Sequence, residues 1–311
     1  MLRMLSCLFI VAVVSPSAIT PLQAGSEDLD APPVVTAAAW AIADGETGEI
    51  LWEHDAGKGR KIASITKTMA ALVVLSLVDE DPSVLDEVIT FSEAADRTGG
   101  STSDVNAGEQ VTVREGLYGL MLPSGNDMGN ALAEHFHPRL DSPDQRLLDN
   151  GLDNPVHAKR INFIAEMNRL AQRFGMEQTI FRIAYGDGGE ADQPTSSAAD
   201  LILLARQAIA HPRLREIIRT REYTGTITLP DGSTREQVWK NTNQLLGLDL
   251  GYDGIKTGTT RTAGRCLLST GVREGTRLIV VVLGADSGSS RYTDSRNLYR
   301  WAWRQLEHSG E

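Results

Sequence analysis

Apolar residues recur along this chain with changing periods, and their order outlines a fold. Residues 5–14 form an unbroken apolar stretch behind Arg3, followed by small residues up to Ala24. The stretch is shorter than the ~20 residues a membrane-spanning helix needs, and it reads as a secretory signal peptide over 1–24, cut after Ala24 or Ala18. The acidic, proline-bearing residues 25–34 read as a flexible leader to one folded domain over 35–307. Two short strands are predicted at 37–43 and 50–54, around a hairpin signal at Asp44-Gly45-Glu46-Thr47-Gly48. Residues 64–78, rich in Ala, Met and Leu, predict a buried helix, and the segment 114–218 is expected to be mostly helical, with helices over 117–136 and 198–210. Beyond Asp253 the period changes, predicting strands at 255–257, 265–271 and 277–284 and a closing helix over 298–306. Strands at both ends with helices between them imply one α/β unit whose ends meet in a single sheet.

Composition narrows what such a fold does. The 311 residues carry 41 acidic and 30 basic side chains, a net charge of -11. A field of that sign disfavours nucleic acid and anionic membrane surfaces as partners and leaves small molecules and neutral polymers. Of the two cysteines, Cys7 leaves with the signal, and Cys266, in an apolar run, reads as a buried, inert thiol. Only six of the basic residues are lysines: Lys58, Lys61, Lys67, Lys159, Lys240 and Lys256.

Two of those six fall in three short motifs that stand in order: Ser64-Ile65-Thr66-Lys67, Ser124-Gly125-Asn126 and Lys256-Thr257-Gly258. Each alone is weak, because Ser64 could cap a helix, Lys67 could be a solvated first-turn lysine and Ser124-Gly125-Asn126 could be a turn. Together, on a helix start, a loop and a strand, they resemble the motif set of the active-site-serine penicillin-binding proteins and class A β-lactamases. A spacing of three at a helix start puts Ser64 and Lys67 on one face, where a neutral amine can take the hydroxyl proton. Burial and a second cation, Lys256, would keep that amine neutral. Arginine could not serve, since its guanidinium does not deprotonate. Ser124 would relay a proton to the leaving group, and Asn126 would hold the lysine and the substrate backbone with its two-sided amide. Gly258 would let a substrate strand lie along Lys256-Thr257-Gly258-Thr259, with the backbone N–H groups of Ser64 and Thr259 as the oxyanion hole.

The chain resembles the serine D-Ala-D-Ala carboxypeptidases, low-molecular-mass penicillin-binding proteins, in more than these motifs. The resemblance is carried by Pro123-Ser124-Gly125-Asn126-Asp127 with Ala131-Leu132-Ala133-Glu134, by Met167-Asn168 before Phe174-Gly175-Met176, by Asn241-Thr242-Asn243-Gln244-Leu245-Leu246 and by Asp253-Gly254-Ile255-Lys256-Thr257-Gly258. It runs from about Val35 to Trp303. It implies a β-lactamase/transpeptidase-like α/β fold, a five-stranded antiparallel sheet flanked by helices with a mostly helical inserted region. It also implies removal of the terminal D-Ala from peptidoglycan stem pentapeptides, β-lactams as covalent inhibitors, no cofactor or metal, and a periplasmic or extracellular location. Arg291 matches the position at which the family holds the substrate carboxylate, together with Lys256, Thr257, Gly258 and Thr259.

Three departures qualify the resemblance. Residues 137–158 form a longer polar insertion than the family carries, Ala184-Tyr185-Gly186-Asp187-Gly188 replaces its Asn-Pro-x-Gly-Leu segment, and neither the β-rich second domain nor the membrane anchor of longer members is expected. Four alternative readings follow. One is an endopeptidase cutting peptidoglycan cross-links. A class A β-lactamase would need Glu-x-x-x-Asn, whereas Glu166, read as a surface residue, stands two positions before Asn168. A non-catalytic β-lactam or peptidoglycan sensor would not need Ser64, Lys67, Ser124 and Lys256 intact. His135-Phe136-His137, which could chelate a metal, reads instead as a helix terminus before Pro138.

Overall fold

Three of the predicted strands lie side by side with both faces covered, which explains their apolar sequences. The computed structural model describes residues 31–152, 154–248 and 250–309. The signal-peptide reading and most of the leader lie outside the described residues. From Pro33 onward the chain forms one compact unit.

In chain order the elements begin with strands β1 (Ala39–Asp44), β2 (Ile50–His54) and β3 (Arg60–Lys61) and helix α1 (Thr66–Glu80). Next come β4 (Val88–Thr90), α2 (Glu93–Asp96), β5 (Gln110–Thr112), α3 (Val113–Met121) and α4 (Asn126–Phe136). The one-turn α5 (Gln145–Leu147) precedes α6 (Ile161–Arg173), β6 (Thr195–Ser196), α7 (Ala198–Ala210) and α8 (Pro212–Arg219). The hairpin β7 (Glu222–Thr228) and β8 (Thr234–Lys240) leads to β9 (Tyr252–Thr260), β10 (Gly264–Arg273), β11 (Thr276–Ala285) and α9 (Ser290–Ser309).

The main sheet has the order β2-β1-β11-β10-β9, all antiparallel, so the first and last strands of the chain meet at its centre, with Ala41 opposite Val281. Side chains alternate between two cores, as the period of two requires. Trp40, Ile42, Leu267, Leu278, Val280 and Val282 pack against Leu298, Tyr299, Ala302 and Trp303 of α9. Ala39, Ala41, Ala43, Leu268, Ile279, Val281 and Leu283 join the larger core with α1, α3, α4, α6 and α7. Helix α1 is buried on nearly every side, because its sequence offers no polar stripe between Thr68 and Val78.

Two expectations need correction. The stretch 117–136 is two helices, broken at Leu122-Pro123-Ser124-Gly125: proline cannot continue the hydrogen-bond ladder, and Ser124 takes a left-handed φ of 68°. The region read as mostly helical is flanked on both sides by strands of a second sheet, β4-β5-β7-β8, that the sequence reading did not include. Strands β4 and β5 are three residues long, too short for a period to register. The β7–β8 hairpin did carry a signal, Asp231-Gly232 between alternating runs, with Gly232 at φ 85°.

This second sheet braces one wall of the cleft. Trp239 of β8 is fully buried, and its indole N–H donates to Ser103 O at 2.8 Å. Ser103 is held in turn by the buried carboxylate of Asp127, which accepts from the Ser103 N–H, the Ser103 hydroxyl and the Thr102 hydroxyl. We expect Trp239→Phe to lower unfolding free energy by about 1–3 kcal/mol, the cost of stranding a buried carbonyl. Urea denaturation measures the loss, and an unchanged midpoint would mean that the indole hydrogen bond is dispensable.

Candidate active site

Ser64 lies in a 3-10 turn, Ala63–Ile65, that leads into α1 rather than in the α-helix itself. The turn is tight: Ala63 takes a φ of 49°, and the Thr66 hydroxyl donates to Ala63 O at 2.7 Å. Two glycines let other segments of backbone approach it closely. A side-chain carbon on Gly258 of β9 would stand 2.6 Å from Ile62 O, and one on Gly186 would stand 2.1 Å from Ala63 O. Gly258 was expected to make room for a substrate strand; the observed neighbour is the serine turn, so glycine is needed there first for packing.

One helical turn on, Lys67 is completely buried, and its Nζ reaches three oxygens: Ser64 Oγ at 2.9 Å, Asn126 Oδ1 at 2.7 Å and the Tyr185 carbonyl at 2.8 Å. Burial holds this amine well below an ordinary lysine's pKa, and the nearby charge of Lys256 pushes the same way, while Asp187 and Asp127 oppose both. Asn126 is the first residue of α4, and its Nδ2 donates to Gly99 O at 2.8 Å, which orients Oδ1 toward the lysine. Ser124 is buried in the strained bend just before, and its hydroxyl has no hydrogen-bond partner among the described residues.

The opposite wall is β9, which pairs with β10 on one side only and is therefore the edge of the sheet. Lys256 is buried and pushed down to about 7, first by desolvation and then by the neighbouring Arg291. Thr257 shares a 2.7 Å hydrogen bond with Thr242, while Thr259 is exposed on the edge strand. In the first turn of α9, Arg291 Nη1 donates to Thr259 Oγ1 at 2.9 Å and to Gly258 O at 3.1 Å. All nine residues singled out in the sequence thus converge on one cleft between α1, the α3–α4 bend and β9.

The sequence reading did not anticipate Tyr185, Asp127 or Thr242 as parts of this arrangement. Tyr185 contributes only a backbone oxygen, which any residue could supply, so no side-chain signal exists for it. Glu166, read as a surface residue, is partly buried on α6 and held by Arg169 at 3.1 Å and Arg173 at 2.6 Å. His135 pairs with Glu87 at 2.9 Å, and His137 accepts from the Asn162 N–H at 3.2 Å. Among the described residues no group of three or more His, Cys, Asp or Glu side chains is placed to hold a metal.

A serine turn at the start of a central helix, its lysine one turn on, and a Lys-Thr-Gly edge strand define the class of the active-site-serine D,D-peptidases. The chain belongs to one family of that class, peptidase S11, the D-alanyl-D-alanine carboxypeptidases, whose model matches residues 26–138 and 155–287. The unmatched gap falls within the insertion noted at 137–158. The chain is 31% identical over 277 residues to the D-alanyl-D-alanine carboxypeptidase of Streptomyces sp. K15, covering 88% of each chain. It is also 31% identical to DacC of Escherichia coli, of which it spans 63%. Against the crystal structure of the Streptomyces K15 DD-transpeptidase the TM-score is 0.77 at 30% identity, covering 88% of this chain and 99% of that one. Against penicillin-binding protein D2 of Listeria monocytogenes in its ampicillin-bound form it is 0.69 at 29% identity, covering 88% of this chain and all of the other. The family's fold, a five-stranded antiparallel sheet with helices on both faces, is the one found here. No helix among the described residues is long and apolar enough to cross a membrane.

The buried cations weaken the fold in a pH-dependent way. Lys256 titrates near 7 in the folded protein and near 10.5 when unfolded, so between these values the unfolded chain binds more protons and stability rises with pH. The penalty is full below pH 7 and fades toward pH 10.5. Lys256→Met should therefore raise unfolding free energy most at pH 6, with the gain shrinking by up to ~1.4 kcal/mol per pH unit above pH 7. Urea melts at pH 6, 8 and 10 measure it; a gain independent of pH would show that packing, not charge, is responsible.

Proposed function

We propose that the protein is an exported serine D,D-carboxypeptidase that removes the terminal D-Ala from peptidoglycan stem pentapeptides through a Ser64 acyl-enzyme, and that penicillins acylate the same serine. The observation that carries this reading is the set of partners around Lys67. Asn126 Oδ1 and the Tyr185 carbonyl can only accept hydrogen bonds. A neutral amine has two hydrogens, which these two acceptors take, so its lone pair is left for the Ser64 hydroxyl. That hydrogen-bond geometry is what a general base requires.

In this mechanism the Ser64 oxygen attacks the carbonyl carbon of the penultimate D-Ala and its proton passes to Lys67 Nζ. The C–N bond to the terminal D-Ala breaks as the proton is handed, through Ser124, to the departing amine. Water then cleaves the acyl ester and restores Ser64. The buried Ser124 hydroxyl suits a relay, because among the described residues it is not committed to another acceptor. Lys256, Thr257, Thr259 and Arg291 offer charge and donors to the substrate carboxylate, which must be matched on leaving water. Burial pushes the Cys266 thiol up to about 11, and it takes no part.

Release of D-Ala from a pentapeptide, compared with cleavage of a cross-linked dimer, tests the carboxypeptidase reading against an endopeptidase of the same fold. Adding an amine acceptor tests transfer, since the similar Streptomyces K15 structure is named a DD-transpeptidase. We expect Ser64→Ala to abolish covalent penicillin labelling with the fold retained, and Lys67→Arg to be nearly as inactive as Lys67→Ala. Labelling of the serine variant, or appreciable turnover by the arginine variant, would refute the assigned roles.

Arg291→Ala should lower kcat/KM for peptides with a free C-terminal carboxylate by roughly 1.5–3 kcal/mol, the worth of a hydrogen bond to a charged group. A C-terminally amidated peptide should lose much less. Equal losses on both would mean that Arg291 acts only by bracing the Gly258–Thr259 backbone.

A further inference from the structure

Away from the cleft, on a chain of net charge -11, the end of α7 and helix α8 gather arginines around two adjoining cavities. The first, of about 420 Å³, lies between the β1–β2 turn, the last turn of α7 and the β10–β11 turn, and is lined by Arg206, Arg215 and Arg277. The second, of about 590 Å³, shares Ile209, Ala210 and Arg215 with it and runs on along α8 past Arg219. The β10–β11 turn is at the other end of β10 from Cys266, the neighbour of Gly258. At a strand's rise per residue this places the groove about 20 Å from Gly258.

The four arginines differ in how firmly they are held. Arg277 is buried, with Nη1 on the Asp253 carboxylate and the Thr270 hydroxyl, each at 2.9 Å, and its other two nitrogens make no hydrogen bond among the described residues. Arg206 Nη2 donates to the Glu46 carbonyl at 3.1 Å. The side chains of Arg215 and Arg219 are exposed and make no hydrogen bond or ion pair among the described residues. They stand one turn apart on α8, with about 5–6 Å between their Cβ atoms. Acids offset only part of this charge. Glu46 and Glu216 line the cavities, Asp253 is committed to Arg277, and Asp44 accepts from the Glu46 and Thr47 N–H groups. A row of guanidinium forks matches a chain of oxyanions, because each fork can hold two oxygens of one phosphate. A flat anionic bilayer fits less well, since α8 presents no exposed large apolar side chain to enter it. We propose that this groove binds a linear, phosphate-bearing polyanion, its successive phosphates meeting Arg277 and Arg206, then Arg215, then Arg219. Binding there leaves the cleft, at the other end of the sheet, open to substrate.

The test is calorimetric titration with long linear polyphosphate, tripolyphosphate, orthophosphate and poly-L-glutamate. At about 0.15 M salt, where charges more than ~8 Å away are screened, the groove outweighs the net charge of the chain. Polyphosphate should bind more tightly than tripolyphosphate, and tripolyphosphate more tightly than orthophosphate, with binding lost near 1 M salt. Arg206→Ala and Arg215→Ala should each lower the affinity about 2- to 5-fold, as removal of an exposed charge pair does. The double variant Arg215→Glu, Arg219→Glu should lower it by about tenfold or more. The same change of net charge on the opposite face of the sheet, Arg300→Glu with Arg304→Glu on α9, should leave it unaltered. Penicillin labelling of Ser64 should persist in every variant, which shows that the fold is intact. Failure of the wild type to bind either polyphosphate, equal affinity for orthophosphate or poly-L-glutamate, or an equal loss in the α9 variant would overturn the site. So would arginine-dependent binding to vesicles of phosphatidylglycerol and phosphatidylcholine with none to polyphosphate, which would make α8 a membrane-facing surface.

Discussion

An amine without access to water is the constraint around which this site is built. Removing Lys67 from solvent would cost several kcal/mol were it to stay charged and poorly bonded. Three oxygens within 2.9 Å limit that cost, and burial with Lys256 nearby shifts the amine toward its neutral form. The same environment that makes the lysine expensive to bury makes it useful as a base. Its hydrogen-bond partners come from three separate places: the serine turn, the head of α4 and the 185 loop. Each has to be placed to within a few tenths of an ångström, and most of the surrounding architecture serves that placement.

The two-faced sheet supplies the rigid reference. Because β1 and β11 are covered by α9 on one side and by the helical layer on the other, neither can shift without disturbing both cores. β9 hangs on this frame through β10, and its edge faces the serine turn with only a glycine between. Asp127 and Trp239 hold the opposite wall through a shared partner, Ser103, so the second sheet reaches the cleft without contributing a residue to its chemistry. Charge follows the same division of labour. Arg277 and Asp253 are paired on the sheet, whereas Lys256 and Arg291 retain donors for a ligand.

Much of this was legible in the residues. The seven residues named from three motifs, with Thr259 and Arg291, lie around the serine turn and the β9 edge, since Ser64, Lys67 and Lys256 are chemically demanding positions that few side chains can fill. The inner strands β1, β10 and β11 of the main sheet were readable because covering both faces produces nearly unbroken apolar runs. The helix break at Pro123 and the hairpin at Asp231-Gly232 also had local signals in proline and glycine, although the apolar period over 117–136 runs straight across the first. Strands β4 and β5 had none, being shorter than one repeat of any usable pattern.

The sequence by itself determined the reactive groups and the class of fold, because those depend on side-chain chemistry and on the pattern of apolar positions. Only the tertiary structure decided why Gly258 is needed, which carbonyl completes the shell of Lys67, and that Glu166 is tied up by two arginines. These are relations between segments tens of residues apart. They involve backbone atoms that every residue carries or charges whose partners depend on packing, so no single stretch of sequence records them.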